Sequence, residues 1–218
     1  MIKLKQLESE LTQVTKFREP KVQLEQYPTT AHLAASMLYT AATTYEDIED
    51  ASVVDLGVGC GMLTCASGIL GAAYNVGVDV DPEALEQARD NCDRFELDAD
   101  LVNLDVQELV VPADDDEHGF RLTQRLSADT VVMNPPFGTK SNKGIDMVFL
   151  QAAAGIAERA IYSLHKTSTR DFILRKAQSW GLKGEVVAEL RYNIEASYKF
   201  HKKKSVDVEV DFLRFEVE

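Results

Sequence analysis

The sequence predicts an α/β fold: a mostly parallel sheet with helices on both faces and an antiparallel hairpin at its C-terminal end. Three observations support this fold class. From residue 52 onward, short apolar runs alternate with longer amphipathic stretches, as they do in proteins with a parallel sheet. A glycine-rich turn, DLGVGCG, follows the first apolar run and opens a helix. The last two apolar runs have no helical segment between them, and the second alternates as VDVEVDF.

The individual elements follow from these patterns. Apolar runs predict parallel strands at residues 52–56, 74–78, 100–104, 130–133 and 160–164. Amphipathic stretches predict helices at residues 62–70, 82–95, 146–158 and 169–180. The hairpin strands, predicted at residues 185–192 and 206–217, bring the sheet to seven strands. The loop between them, residues 193–205, is longer than a turn requires, and long loops in compact domains are often functional.

The first fifty residues are predicted to be helical. Leu4, Leu7, Leu11 and Val14 recur at helical spacing, and a second helical run covers residues 29 to about 43, with Pro28 beside its start. The chain has 218 residues, of which 45% are hydrophobic, and this is enough for one core. We therefore expect a single domain, 1–218, with a helical extension at 1–50 and the α/β core at 51–218.

Composition narrows the class of protein. No run of about 20 apolar residues exists to span a bilayer, and the N-terminus is charged, so we expect a soluble intracellular protein without a membrane association. Cys60, Cys65 and Cys92 form no CxxC pair, which favours reduced thiols, and the scattered histidines indicate no metal site. The net charge of -13 is unusual for a nucleic-acid enzyme, but the acidic clusters at 46–50 and 114–117 are separate from one basic run, which indicates a bipolar surface.

Three predicted strand ends carry the residues of an adenosine-shaped site. Glycines in DLGVGCG, residues 55–61, allow a sharp turn and a close approach to a ligand, while the spacing lacks the features of a pyrophosphate loop. Asp79 ends the second strand, where its carboxylate can accept both hydroxyls of a ribose. Asp105 and Val106 follow the third, offering an acceptor for the adenine amine and an apolar surface beside its ring. Any one aspartate alone could instead be a helix cap.

The fourth parallel strand ends in the most specific motif of the chain, the tetrad NPPF, which consists of the candidate catalytic residues Asn134, Pro135, Pro136 and Phe137. Two prolines fix the backbone and leave carbonyl oxygens as acceptors. The Asn134 oxygen and one such carbonyl can take both hydrogens of an NH2 group, while Phe137 stacks on the ring that bears it. This geometry predicts methyl transfer to a planar exocyclic nitrogen, without a strong general base.

The combination of DLGVGCG and NPPF resembles class I methyltransferases of the amino-group type, which have a Rossmann-like fold. Further stretches, LEQYPT, AIYSLHK and ASYKFHKKKSVDVEVD, resemble the eukaryotic methyltransferase-like protein 5 family over essentially the whole chain. The resemblance implies an S-adenosyl-L-methionine-dependent enzyme that forms N6-methyladenosine in small-subunit (18S) ribosomal RNA. It also implies a heterodimer with a small zinc-binding activator subunit, and we expect the protein in the nucleus and the cytoplasm.

By position, the resemblance places Gln26 and Thr29 against the cofactor, where the local pattern alone indicates only a helix entry. The other cofactor-binding candidates lie at the strand ends: Asp55, Gly57, Gly59, Cys60, Gly61, Met62, Asp79, Asp105 and Val106. Two departures from the family stand out. Val58 replaces an expected cysteine, which should leave the site intact, and residues 111–128 are longer and more acidic than expected, which affects surface contacts only.

The charge distribution suggests how RNA and the partner bind. The third strand is predicted at an exposed sheet edge, where a second chain can pair. The hairpin loop combines charge with aromatic residues, as RNA-binding segments do, although a merely solvated loop is the alternative. The RNA-binding candidates are Lys199, His201, Lys202, Lys203 and Lys204.

Two other functions remain open from the sequence. A glutamine side chain presents the same planar NH2 group to the tetrad as adenine does, so protein-glutamine methylation is one alternative. A non-catalytic scaffold that binds S-adenosyl-L-methionine is the other, although the intact Asp79, Asp105 and NPPF argue against it.

Overall fold

The computed structural model describes residues 2–112, 120–123, 126–138, 142–195 and 205–217. Its α-helices are α1 (Leu4–Leu11), α2 (Ala31–Thr43), α3 (Met62–Ile69), α4 (Pro82–Arg94), α5 (Val106–Leu109), α6 (Ile145–Ile156) and α7 (Arg170–Ser179). Its strands are β1 (Ser52–Leu56), β2 (Tyr74–Asp79), β3 (Asp100–Asn103), β4 (Val110–Pro112), β5 (Phe120–Leu122), β6 (Ala128–Met133), β7 (Ala157–Lys166), β8 (Leu182–Glu195) and β9 (Ser205–Val217). Short 3-10 turns lie at Val22–Leu24 and Thr167–Thr169.

Seven of these strands form one sheet in the order β3-β2-β1-β6-β7-β9-β8. The first five strands in this order are parallel, and β9 pairs antiparallel with both β7 and β8. The predicted fold class is therefore confirmed, including the antiparallel C-terminal hairpin. The third predicted strand, β3, does lie at an edge of the sheet.

The predicted boundaries are wrong at the junction of α6 with β7 and in the hairpin. Helix α6 ends at Ile156, and β7 begins at the next residue. The sequence pattern placed this boundary too late, because the exposed, charged Glu158 and Arg159 interrupt the apolar run at the start of the strand. The hairpin strands reach Glu195 and Ser205, so the predicted loop at 193–205 is too long. Its remaining residues, 196–204, lie outside the described residues.

The region expected to be an acidic insertion contains structure that the sequence patterns do not predict. Helix α5 is followed by β4, which pairs antiparallel with β5 in a separate two-stranded sheet. Each element has only three or four residues, too few to show a periodicity. Leu122 of β5 packs on Gly155 of α6, where a Cβ would lie 2.7 Å from the Leu122 Cγ. The small sheet is therefore fitted to α6, while residues 113–119, which hold the acidic cluster, lie outside the described residues.

Apolar clusters cover both faces of the large sheet. Val53 and Val54 are successive residues of β1 and belong to different clusters, because successive strand side chains point to opposite faces. The first cluster includes Leu7 of α1 and Leu38 of α2, and the second includes Leu150 of α6. The N-terminal helices thus share a core with the sheet.

A buried polar network joins the segment between α2 and β1 to the strands β7 and β9. The Tyr162 hydroxyl donates to the Asp47 carboxylate at 2.6 Å, and the Arg214 guanidinium donates to the same oxygen at 3.1 Å. Burial, together with the hydrogen bond to Asp47, raises the pKa of Tyr162. The network keeps a buried carboxylate paired, as a low-dielectric interior requires. None of the described helices is both long enough and apolar enough to cross a membrane.

Candidate cofactor and substrate cleft

The carboxyl ends of β1, β2, β3 and β6 meet in one cleft, which has a volume of about 900 Å³ with its open mouth included. Parallel strands end at the same edge of a sheet, so residues far apart in sequence come together there. The predicted site residues that line the cleft are Gln26, Gly57, Gly59, Asp79, Asp105, Val106, Asn134 and Pro136. An adjoining recess is lined by Thr29, Asp55, Cys60 and Met62, among others.

The glycine loop, residues 55–61, turns sharply above β1. Gly57, Gly59 and Gly61 have φ values of +75°, +53° and +83°, a region that favours glycine. The N–H groups of Gly57 and Val58 both donate to the Val78 carbonyl, at 2.8 and 3.0 Å, which ties the loop to β2. Val58 lines the adjoining recess but not the cleft itself, and it belongs to a small apolar cluster with Leu85, Ala88 and Leu101. The departure at Val58 therefore lies outside the cleft.

Residues 15–30, which we call the strap, cross the cleft from α4 to the tetrad. At one end, the Asn91 side chain accepts from the Thr15 N–H at 2.9 Å and donates to the carbonyls of Thr15 and Cys60. At the other end, the Thr29 hydroxyl accepts from the Asn134 amide of the tetrad at 2.9 Å. Between the two ends, the Asn142 amide donates to the Gln23 carbonyl at 2.8 Å. Sequence reasoning did not predict this crossing, because it depends on contacts between residues far apart in sequence.

Phe17 of the strap lies directly over the glycine loop. A Cβ on Gly59 would come within 2.8 Å of the Phe17 Cζ, so only a glycine allows this approach. Phe149 of α6 stands similarly close to Gly57, at 3.0 Å from the position of a Cβ. Two aromatic rings therefore flank the glycine loop.

Asp79 is the last residue of β2 and faces the glycine loop. Its Oδ2 accepts from the Gly59 N–H at 2.8 Å and its Oδ1 accepts from the Asp81 N–H at 2.9 Å. Burial raises the pKa of the Asp79 carboxyl, and the two backbone donors oppose that rise. Each carboxylate oxygen can accept about two hydrogen bonds, so both oxygens keep room for a hydroxyl donor.

Asp81 is a site residue that the sequence analysis missed. The Lys21 ammonium and the Gln26 amide of the strap each donate to its carboxylate at 2.7 Å, and Asp81 also caps α4 through the Glu83 N–H. Although burial alone raises its pKa, these donors hold the pKa of Asp81 below its usual value. Gln26 therefore lines the cleft while its amide group fastens the strap.

Asp55 is the first residue of the glycine loop and is almost completely buried. Its Oδ2 accepts from the Thr64 N–H at 3.1 Å and from the Thr64 hydroxyl at 2.8 Å, which ties β1 to α3. Burial raises the pKa of the Asp55 carboxyl to about 7, against the effect of the Thr64 donors. Burial likewise raises the pKa of the Cys60 thiol to about 12, so this thiol is protonated at neutral pH and is not a nucleophile.

The third strand end contributes Asp105 and Val106. Asp105 is the N-cap of α5, where its carboxylate accepts from the Gln107 N–H at 2.9 Å, so the helix-cap interpretation holds for this residue. It also lines the cleft, with its second oxygen directed to the Gln107 amide at 3.4 Å. Val106 is 3% exposed and packs with Phe149 in the core cluster beneath the cleft.

The tetrad is held at both of its ends. The Asn134 amide nitrogen donates to the Thr29 hydroxyl at 2.9 Å, and the Lys166 ammonium donates to the Phe137 carbonyl at 2.9 Å. Because the amide nitrogen is engaged, the Asn134 oxygen is the group left to accept from a ligand. Pro136 lines the cleft, whereas Pro135 is buried and Phe137 is half-buried against the first core cluster.

The predicted RNA-binding residues cannot be placed, since the chain is described only up to residue 195 and again from 205. Those residues are Lys199, His201, Lys202, Lys203 and Lys204. In the parts of the chain that the structure describes, no group of three or more His, Cys, Asp or Glu side chains is arranged to hold a metal ion.

Comparisons with known proteins agree with this arrangement. A family model described as ribosomal protein L11 methyltransferase (PrmA) matches residues 26–134. The rRNA N(6)-adenosine-methyltransferase METTL5 of Danio rerio is 54% identical over 98% of this chain and 99% of its own length. Its counterpart in Drosophila melanogaster is 52% identical over 99% of this chain and 97% of its own length.

Among solved structures, a putative RNA methyltransferase from Pyrococcus horikoshii matches with a TM-score of 0.81 and 33% identity, and the match covers 100% of both chains. The strand order, the cleft at four strand ends and the near full-length identity to the METTL5 proteins lead to one assignment. This chain belongs to the METTL5 family of rRNA N(6)-adenosine-methyltransferases.

Proposed function

We propose that this chain transfers a methyl group from S-adenosyl-L-methionine to the N6 of an adenine in small-subunit (18S) ribosomal RNA. One observation carries the proposal: Asp79, the candidate ribose acceptor, and Asn134, the candidate amine acceptor, line the same cleft. A cofactor bound to the first residue therefore lies within reach of a base held by the second. The names of the relatives in zebrafish and fly, which are rRNA N(6)-adenosine-methyltransferases, support the choice of substrate.

The residues of the cleft fit S-adenosyl-L-methionine, which supplies an electrophilic methyl group on a positively charged sulfur. The glycine loop offers a surface without side chains, and the two free acceptor positions of Asp79 suit the two hydroxyls of a ribose. Asp105 and Val106 lie one strand further along and provide a carboxylate and an apolar contact for an adenine. Strap residues, among them Phe17 and Gln26, form one wall of the cleft.

The tetrad can orient a target amine. Thr29 fixes the rotation of the Asn134 amide, so that its oxygen accepts one N–H of the target while a carbonyl of the proline segment accepts the other. The nitrogen lone pair is then directed towards the methyl group, and this positioning lowers the barrier to transfer. The nitrogen loses its proton only after it has become positively charged, so no strong base is needed. Stacking of the base on Phe137 would contribute about 1–3 kcal/mol and offset the unstacking of that base.

The match to the L11 methyltransferase model does not favour a protein substrate. It ends at Asn134 and leaves out the rest of the tetrad and the C-terminal hairpin. The shared part is therefore the cofactor half of the fold. By contrast, the relatives named as rRNA methyltransferases match over nearly the whole chain, including the hairpin. Since ribosomal RNA is made in the nucleus and used in the cytoplasm, we expect the protein in both compartments.

The exposed edge of the sheet suits a protein partner, for which we propose the small zinc-binding activator subunit of the family. Val102 of β3 is 41% exposed, and Tyr74 of the neighbouring β2 is 53% exposed. An exposed edge strand with apolar side chains invites pairing with another chain. Replacing Val102 with lysine should abolish co-purification with the activator. Phe172→Lys is the matched control, because Phe172 is 50% exposed but lies on α7, beside the opposite edge of the sheet; equal loss in both variants would contradict edge pairing.

The substrate is tested by incubating the purified protein, with and without the activator, with labelled S-adenosyl-L-methionine and either ribosomal RNA or cell protein. Label in N6-methyladenosine supports the proposed function. Label confined to protein glutamine would overturn it in favour of the protein-directed alternative. Cofactor binding without label in either substrate would favour a non-catalytic scaffold.

A further inference from the structure

A groove on the hairpin side of the tetrad has no role in the function proposed above. It has a volume of about 830 Å³ with its open face included, and it is lined by Lys166, Ser168, Arg191, Val208 and Glu209. We call it the hairpin groove. Lys166 is the last residue of β7 and pairs with Val210 of β9, so it stands between the tetrad and the hairpin.

Lys166 connects this groove to the tetrad directly. Its ammonium donates to the Phe137 carbonyl at 2.9 Å, and an ammonium has three donors, so up to two remain for another acceptor. The backbone of Lys166 is held by the pairing with Val210 and by the Thr169 hydroxyl, which donates to the Lys166 carbonyl at 2.9 Å. The Lys166 ammonium is therefore held at the C-terminal end of the tetrad, beside Phe137.

The cations of the groove differ from other basic residues on this side of the fold. Arg170 pairs with Asp211 at 2.6 Å and Arg214 pairs with Asp47 at 3.1 Å. Within the described part of the chain, neither Lys166 nor Arg191 forms a salt bridge. Glu209 stands opposite Arg191 in the β8–β9 ladder, so two cations and one carboxylate line the groove. This local excess of positive charge lies in a chain whose net charge is -13.

We propose that the hairpin groove binds the phosphodiester backbone of the RNA beside the target adenine. Lys166 holds one phosphate while it fixes the carbonyl of Phe137, and Arg191 and the Ser168 hydroxyl contact the strand further along. Cations and hydroxyl donors are the groups that proteins use on phosphates, and such contacts set the register of the strand without reading its sequence. The inference rests on the proposed RNA substrate. It makes Lys166 a residue that couples RNA binding to the position of the stacking ring.

The experiment compares four variants of the full chain with its activator: Lys166→Met, Lys166→Arg, Arg191→Gln and Lys183→Met. Lys183 is the matched control because it is exposed on the same strand, β8, roughly 25 Å from Arg191 at about 3.3 Å per residue. For each variant, the Kd for a ribosomal RNA fragment is measured between about 50 and 200 mM salt. The kcat and KM for RNA are measured at saturating cofactor, and the cofactor Kd is measured separately.

Arg191→Gln should raise the KM for RNA about three- to tenfold with little change in kcat, and lower the salt slope of log Kd by about 0.7 for one lost phosphate contact. Lys166→Met should also lower kcat at least about tenfold, because the Phe137 carbonyl is released, while the cofactor Kd stays at the wild-type value. Lys166→Arg should keep the salt slope and recover part of kcat. Lys183→Met should match the wild type.

The inference is overturned if Lys166→Met and Arg191→Gln bind RNA with the affinity and salt slope of Lys183→Met. Wild-type activity on RNA in the same assay separates this failure from a failure of the proposed function. If the wild type methylates RNA and the groove variants do so equally well, only the groove is wrong. If the wild type methylates no RNA, the proposed substrate is wrong and the groove inference fails with it.

Discussion

Replacing Gly59 with alanine tests whether the glycine loop is a cofactor surface. Gly59 has a φ of +53°, and its N–H donates to the Asp79 carboxylate at 2.8 Å. A Cβ at this position would lie 2.8 Å from the Phe17 Cζ, whereas ordinary contacts begin at 3.4 Å, so the ring must move by about 0.6 Å. The substitution therefore strains the loop and displaces the strap at the same time.

Two effects can be estimated separately. A side chain in the left-handed region costs about 1–2 kcal/mol, which lowers the free energy of unfolding. Disturbing the hydrogen bond from the Gly59 N–H to the ionised Asp79 costs about 1.5–3 kcal/mol and misplaces the ribose acceptor. At about 1.4 kcal/mol per factor of ten, the cofactor Kd should rise roughly 10- to 150-fold.

The matched control is Gly71→Ala. Gly71 has a φ of +91°, but it lies in the turn before β2, and the nearest atom to its Cβ position is the Glu49 Cγ at 3.6 Å. This variant should lose a similar free energy of unfolding in urea and bind S-adenosyl-L-methionine normally in calorimetric titrations. If Gly59→Ala binds the cofactor as tightly as Gly71→Ala does, the glycine loop is not the cofactor surface.

Other predictions concern the pH dependence, the strap and the buried network. Since burial raises the pKa of Asp55 to about 7 from 3.8, its contribution to stability is full below about pH 3.8 and is lost as the pH rises through 7. Between pH 5 and 7, the free energy of unfolding of the wild type, measured in urea, should therefore fall by up to about 1.4 kcal/mol per pH unit relative to that of Asp55→Asn. If the free energies of unfolding of the two proteins changed in parallel with pH, the prediction would be contradicted. Asn91→Ala removes the hydrogen bonds that fasten the strap, so the cofactor should dissociate about tenfold faster in stopped-flow experiments; an unchanged rate would count against a covering role. Tyr162→Phe should lower the free energy of unfolding by about 1–3 kcal/mol without changing cofactor affinity, because Asp47 loses a donor; a change in affinity instead would mean that the network reaches the cleft.

The fold could be predicted largely because its strands are apolar runs that end in recognisable motifs. The strand at residues 52–56 has the same bounds in the structure, and the parallel order follows from the alternation with helices. The prediction failed where an element is short or charged. Strands β4 and β5 have three residues each, and the second and third residues of β7 are the exposed Glu158 and Arg159. Neither a three-residue strand nor a charged strand start shows the periodic spacing of apolar residues on which the prediction depends.

The residues that line the cleft at the strand ends could be predicted for a similar reason, since each motif follows directly after an apolar strand. The strap was not, because its contacts join residues that are far apart in sequence. Phe17 lies over Gly59, and the Gln26 amide binds Asp81, 55 positions away in the chain. No local pattern marks Phe17 as a site residue. The resemblance to a known family indicated Gln26 and Thr29 but did not show that Thr29 orients the Asn134 amide.

The central claim is that Asn134 orients an adenine amine for methylation. It is tested most directly by mass spectrometry of nucleosides from ribosomal RNA that has been incubated with S-adenosyl-L-methionine, the activator and either the wild type or Asn134→Ala. The wild type should form N6-methyladenosine, whereas Asn134→Ala should form at least about 100-fold less product at saturating cofactor. Equal N6-methyladenosine from both proteins, or methyl groups found only in protein, would contradict the claim.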